Sequence, residues 1–181
     1  MTVEAFGDWL TLGEVAAFRA LAATQPFSVE GNFPGRRTAS QQAILAQAGQ
    51  RIQHTYWPAG YNAAFQLCLA GETSWVHSDA TRWAAVLFLH TCCTETGVAF
   101  YETTSGQRRG TANDDPPGPF TPWKTVLASP GTLIAYDARL LHCSHNHGFG
   151  NGLMDGRLTM TFFWNAAELN VQPTYTERLT Q

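Results

Sequence analysis

Apolar positions along the chain follow two periods, one helical and one extended, and the change between them falls near Pro58. Upstream, Val15, Phe18, Leu21 and Ala22 recur at helical spacing behind Thr11 and Glu14. A threonine three residues before a glutamate at that point is the pairing of a capping box. A first helix is predicted there. Ile44, Leu45, Ala48 and Ile52 form a second stripe, which predicts a helix over 38–56. Between them, 25–37 carries Pro26, Gly31, Pro34 and Gly35 and reads as loop or extended chain. Phe27-Ser28-Val29 is expected there as a short edge strand.

Downstream the apolar runs shorten and become rich in β-branched and aromatic residues. Strands are predicted over 62–69, 83–90, 97–101, 132–136, 139–142 and 157–164. Residues 103–123 are rich in Gly, Pro, Ser and Asp. An unstructured passage of about 20 residues is uncommon in a compact domain. It is either a functional lid or a plain hairpin tip. Two helices followed by six or more strands, without internal repeats, imply a mainly β fold: a barrel or jelly roll with helices packed on one side. The expected organisation is one domain, with helical support over 1–57, a barrel over 58–165 and a tail over 166–181.

Composition narrows the function classes. The chain has 181 residues, 44% hydrophobic and only 14% charged, so disorder and a charged coiled coil are excluded. A formal net charge of −3 offers no general attraction to a phosphate backbone. No apolar run approaches the roughly 20 residues of a membrane span. Residues 1–8 have no basic start, so a cytoplasmic protein is expected, either monomer or homodimer. In that compartment Cys68, Cys92, Cys93 and Cys143 are read as reduced thiols. Cys92 and Cys93 are expected as one buried and one exposed residue.

The candidate chemistry starts at Trp75-Val76-His77-Ser78-Asp79. His77 and Asp79, two apart on an extended backbone, point to one side. Two imidazoles and one carboxylate on one face of an ion leave three positions open, the arrangement of non-haem Fe(II) oxygen chemistry. His-x-Asp is common by chance, and its plain reading is a surface turn. The C-terminal half changes its weight. Ser129-Pro130-Gly131 leads into Thr132 to Tyr136, then come Leu140-Leu141-His142 and Arg157-Leu158-Thr159 at the head of an aromatic strand. In that order, over about 56–165, the motifs resemble the Fe(II)/2-oxoglutarate-dependent oxygenases. Gly148-Phe149-Gly150 with Asp155-Gly156-Arg157 looks like a small bacterial subgroup of them.

That resemblance implies a double-stranded β-helix, a jelly-roll or cupin-like barrel, using Fe(II), 2-oxoglutarate and O2. His77, Asp79 and His142 match the iron ligands. Arg157 matches the clamp on the distal carboxylate of 2-oxoglutarate, and Thr159 the hydroxyl beside it. A guanidinium fork suits a carboxylate because two parallel charge-assisted bonds fix its angle. His145 and His147 lie near enough to compete with His142, which the family pattern favours. A zinc site from this cluster with Cys143, or with Cys92 and Cys93, fits no common structural spacing. A Cys143 nucleophile lacks an orienting group. Gln66, Tyr101 and Trp83 flank the expected site, where the family places groups touching 2-oxoglutarate or iron-bound water; for the aromatics, ordinary barrel core is the favoured reading. Arg82, Arg108 and Arg109 are expected in solvent, and Arg139 in a turn.

The implied activity is a dioxygenase that hydroxylates a C–H bond, with succinate and CO2 as co-products. Halogenating relatives lack the carboxylate that Asp79 supplies, which favours hydroxylation. Desaturation, epoxidation and cyclisation use the same chemistry and stay open. A small molecule is the expected substrate, such as an amino acid or an intermediate of natural product biosynthesis. A peptide or protein side chain is the runner-up. A non-catalytic barrel binding a metal or ligand is the alternative from another class.

Overall fold

A computed structural model describes residues 2–29, 31–53, 62–91, 94–111 and 114–172. Cys92, Cys93, the predicted end of the second helix at 54–56 and residues 173–181 of the tail lie outside the described residues.

The helix behind Thr11 is α1, Leu12–Ala23, and its capping box is complete. The Glu14 amide donates to Thr11 Oγ1 at 3.2 Å, and the Thr11 amide donates to Glu14 Oε2 at 2.8 Å. Its buried face runs through Val15, Arg19 and Ala22, while Leu21, predicted inward, is 36% exposed. Arg19 takes the inward place and pins the helix. Its guanidinium donates to the carbonyls of Leu89, Leu153 and Met154 at 2.8–2.9 Å. The second helix, α2, covers Gln42–Arg51 and buries Ile44 and Ala48. It is shorter than predicted because Thr38 and Gln41 bond to strand backbone at Phe65 and Ala63.

The strands among the described residues follow the order β1 (Val3–Phe6), β2 (Arg36–Arg37), β3 (Ala64–Cys68), β4 (Trp83–Phe88), β5 (Gly97–Thr103), β6 (Phe120–Leu127), β7 (Leu133–Asp137), β8 (His142–His145) and β9 (Arg157–Trp164). They form a six-stranded sheet, β1-β7-β4-β9-β3-β2, and a three-stranded sheet, β6-β5-β8. The named pairings are antiparallel. Ala84 and Phe88 of β4, Ile134 and Tyr136 of β7, and Val98 and Phe100 of β5 pack together between the sheets. The fold is therefore the double-stranded β-helix, with the two sheets as its walls.

Alternation along the strands divides the interior from a second core. Trp83, Ala85 and Leu87 of β4, Leu133 and Ala135 of β7, and Leu158, Met160 and Phe162 of β9 face Val15, Ala22, Ile44 and Ala48 of the helices. Three of the described strands were not predicted. β1 adds to the edge of the larger sheet beside β7. β2 pairs with β3 at the other edge. β6 pairs with β5 and starts inside the stretch expected to be loop, so the connection shrinks to 104–119. Val29 and Arg37 form only a single bridge where a short strand was expected. No described helix is long and apolar enough to cross a membrane.

Candidate metal centre

His77 and His142 sit opposite each other across a two-residue antiparallel bridge. Each amide donates to the other's carbonyl, at 3.0 and 2.9 Å. His142 opens β8, whereas the apolar Leu140-Leu141 before it, predicted as strand, follows the turn at 138–139 and forms only a single bridge, Leu140 to Arg109. Asp79 is held by its amide, which donates to the Ala138 carbonyl at 2.8 Å. Three side chains from two short segments thus converge. His142 Nε2 lies 3.4 Å from Asp79 Oδ2, His77 Nε2 lies 3.9 Å from Asp79 Oδ1, and the two imidazole centroids are 4.5 Å apart. The three donor atoms fall within 4.8 Å of one another, close enough for one ion to touch all of them.

The protonation pattern suits a cation. His77 Nδ1 lies 2.9 Å from the Trp75 carbonyl and His142 Nδ1 lies 2.7 Å from the Leu140 carbonyl. A carbonyl only accepts, so each Nδ1 carries a hydrogen, which in a neutral ring leaves Nε2 with a free lone pair. That is how backbone acceptors orient metal-binding histidines. Burial, reinforced by His142, holds His77 below the ordinary histidine range and favours this neutral form. Burial would raise the Asp79 carboxyl, but its contacts within the site, His142 first, outweigh it and hold it below the ordinary carboxylate range, so Asp79 stays ionised. The other candidates point elsewhere. His145 Nε2 faces Glu95 at 3.5 Å, and His147 Nδ1 meets Ser74. Among the described residues, His77, Asp79 and His142 form the one cluster with metal-ligand spacing.

The cluster opens into a cavity of about 500 Å³. One wall is β9, whose Arg157, Thr159 and Thr161 alternate inward. Arg157 is 3% exposed. Its Nε donates to Thr96 Oγ1 at 3.0 Å and its Nη2 to the Gly97 carbonyl at 3.4 Å, with the guanidinium 5.4 Å from the Phe88 ring centre. Burial works against its charge. No described carboxylate pairs with it. A buried cation with only neutral partners is costly, and an anion entering the cavity relieves that cost. Thr159 stands between Gln66 on β3 and Phe88 on β4 in the ladder.

The remaining expected residues divide. Gln66 lines the cavity with both ends of its amide engaged. Oε1 accepts from Arg37 at 2.8 and 3.2 Å, and Nε2 donates to the Pro34 carbonyl at 2.7 Å. Its role here is to steady Arg37, which also lines the cavity. Tyr101 is not in the cavity wall; its hydroxyl accepts from the Cys143 thiol at 3.4 Å, and Cys143 lines the wall. Trp83 faces the helical core and donates to the Ala166 carbonyl at 3.1 Å. Arg109 pairs with Asp137, and Arg108 with Glu102.

Three lining residues were missed. Arg37 is brought in by its pairing opposite Gln66. Tyr136 reads in sequence as one more apolar strand residue. Its ring packs 4.8 Å from His142, and burial together with Asp79 pushes its phenol well above the ordinary range, so it stays a hydrogen-bond donor. Asp115, from the 104–119 connection, accepts from the Ser78 amide at 3.0 Å and from Ser78 Oγ at 2.5 Å. Alternation within β7 was the only available signal for Tyr136; none existed for the other two.

No family model matches the sequence. No curated protein matches it either. Solved structures do share the fold. HygX from Streptomyces hygroscopicus, solved with nickel and 2-oxoglutarate bound, superposes with a TM-score of 0.57 at 12% identity, over 96% of this chain and 83% of its own. A Pseudomonas putida prolyl-4-hydroxylase gives 0.53 at 14% identity, over 91% and 93%. The non-haem α-ketoglutarate-dependent epimerase SnoN of nogalamycin biosynthesis gives 0.52 at 17% identity, over 90% and 78%. At such identities the likeness establishes the fold.

Proposed function

We propose that this chain is an Fe(II)- and 2-oxoglutarate-dependent oxygenase acting on a small molecule, with C–H hydroxylation as its reaction. One observation carries the reading. A face of two bare imidazole nitrogens and an ionised carboxylate shares one cavity with a buried arginine that has no acidic partner among the described residues. When bound, Fe(II) would be held on one face by His77, Asp79 and His142 and leave the other open to co-substrate and O2, supplying the chemistry that decarboxylates 2-oxoglutarate to succinate and oxidises a C–H bond.

The residues of the chain divide the remaining work. His77 and His142 keep their Nε2 lone pairs aimed at the ion, because Trp75 and Leu140 hold the opposite nitrogens. Asp79 balances part of the metal charge. Arg157 receives the distal carboxylate of the co-substrate, with the Thr159 hydroxyl beside it and the Tyr136 phenol as a further donor. Apolar Val86, Val98 and Phe163 line the same cavity and keep water from its walls. Gly31, Phe33, Pro34, Trp75 and Asp115 supply loop-borne wall to a cavity within the usual range for small ligands. The fold neighbours include an epimerase and a prolyl hydroxylase, so one scaffold accommodates several outcomes. The presence of Asp79 favours hydroxylation over halogenation.

The test is direct. Anaerobic addition of Fe(II) and 2-oxoglutarate gives a visible charge-transfer band, and admitting O2 with ascorbate yields succinate. A chain that binds Fe(II) but gives neither band nor succinate is the non-catalytic barrel instead.

A further inference from the structure

We infer that residues 108–111 and 114–115 act as a brace for the metal-binding face, with Asp115 as its positioning residue. The inference rests on the reading of His77, Asp79 and His142 as ligands, and it assigns a task to the connection between β5 and β6.

The brace touches both segments that carry ligands. On one side, Asp115 takes both hydrogens that Ser78 offers, from the amide at 3.0 Å and from Oγ at 2.5 Å. Ser78 is the residue between His77 and Asp79, so its placement sets the separation of those two donors. On the other side the brace pairs with 139–141. The Leu141 amide donates to the Arg108 carbonyl at 2.9 Å, the Gly110 amide donates to the Arg139 carbonyl at 3.0 Å, and Arg109 bridges Leu140. Arg109 also pairs through its guanidinium with Asp137. Leu140 supplies the carbonyl that orients the His142 ring. One short stretch therefore fixes the spacing of His77 and Asp79 and the peptide that aims His142.

Gly110 shows how closely the parts are fitted. A Cβ at this position would run into Asp115 Oδ1 and crowd Ser78 Oγ. Arg108 anchors the start of the brace, pairing with Glu102 at 2.7 Å and lying 4.4 Å over the Trp123 ring. The link between Asp115 and Ser78 is thus set on a supported base. Groups one layer behind metal ligands typically change affinity by about 10–100-fold when removed.

The experiment is a cycle of D115A, G110A and the double variant, read by titration of the purified chain with Ni(II) and by thermal unfolding of the metal-free form. D115A is expected to weaken Ni(II) binding about 10–100-fold, with the metal-free melting temperature nearly unchanged. G110A is expected to weaken it in the same direction by displacing Asp115. The double variant is then no weaker than the weaker single one, because the two act through one contact. D115N, which still accepts from one Ser78 donor, falls between and serves if D115A does not fold. Wild-type Ni(II) affinity in D115A and D115N overturns the brace, as does strict additivity in the cycle. D79A in parallel separates the two ideas: if it too binds Ni(II) like the wild type, the ligand assignment has failed, and the brace with it.

Discussion

Replacing Arg157 by Met is expected to separate two quantities, metal-free stability and co-substrate affinity, that a structural arginine would move together. The guanidinium is buried and bonded to Thr96 Oγ1 and the Gly97 carbonyl, with the Cys68 thiol also against it and no described carboxylate as partner. In the metal-free protein its desolvation and its hydrogen bonds nearly cancel, so the variant stays within about 1 kcal/mol of wild-type stability; breaking a buried ion pair would cost about 3–5 kcal/mol. Two charge-assisted bonds to the co-substrate contribute about 1.5–3 kcal/mol each, so affinity for 2-oxoglutarate falls at least about 100-fold. Thermal unfolding of the Ni(II)-loaded protein reads this as linkage. Ligand at 1,000 times the wild-type Kd stabilises by about 4 kcal/mol, and a 100-fold weaker site keeps only about 1.4 kcal/mol of it. An R157M protein that retains the full 2-oxoglutarate shift, or that loses 3 kcal/mol or more without metal, would refute the argument.

Other consequences can be measured the same way. Asp79→Ala removes the only carboxylate of the cluster and should weaken Fe(II) binding at least about 100-fold and abolish the charge-transfer band, checked by anaerobic titration. Tyr136→Phe should raise the apparent KM for 2-oxoglutarate about 10-fold while leaving Ni(II) affinity alone, in line with loss of one hydrogen bond to a charged group; an unchanged KM takes the phenol out of the co-substrate site. His90 is buried with Nδ1 unpartnered, and burial, then Arg157 and Arg19, lower its pKa to about 4. The unfolded chain takes up this proton below about pH 6.5 and the native state does not, so stability is full above that pH and falls by up to about 3 kcal/mol as pH drops toward 4. Denaturant midpoints should show that slope and lose it in His90→Leu. Gly131 has φ +85°, and a Cβ there would meet the Leu10 carbonyl; Gly131→Ala should cost about 2 kcal/mol or more in urea unfolding.

The grouping of His77, Asp79 and His142 was partly legible in the sequence because two of its members are local. His77 and Asp79 share one short extended segment, and His142 follows an apolar pair that marks the approach to the interior. β9 was equally legible, since its alternation runs unbroken from Arg157 to Trp164. β6 was not. It is an edge strand with no buried residue and no period-two burial, and Pro122 sits opposite Tyr101 where the register shifts, so a proline that argued against strand marks an irregular edge. Leu140 and Leu141 are buried and make only isolated pairings, Leu140 through a single bridge to Arg109, so the strand predicted there starts at His142. Arg37 and Asp115 enter the cavity through pairings with residues 29 and 37 positions away, and no local pattern encodes such partners.

The alternation of β9 also constrains how this protein can change. One residue inserted into Arg157–Trp164 would turn Leu158, Met160 and Phe162 toward the cavity and send Arg157 and Thr159 into the helical core. Cavity wall and hydrophobic core are written on two sides of one ribbon, so this strand tolerates substitution but not a shift in length. The cavity wall at 31–34, Trp75 and Asp115 comes from connections between elements and obeys no such rule. Remodelling those loops would reshape the cavity while β9 keeps its length and both of its faces.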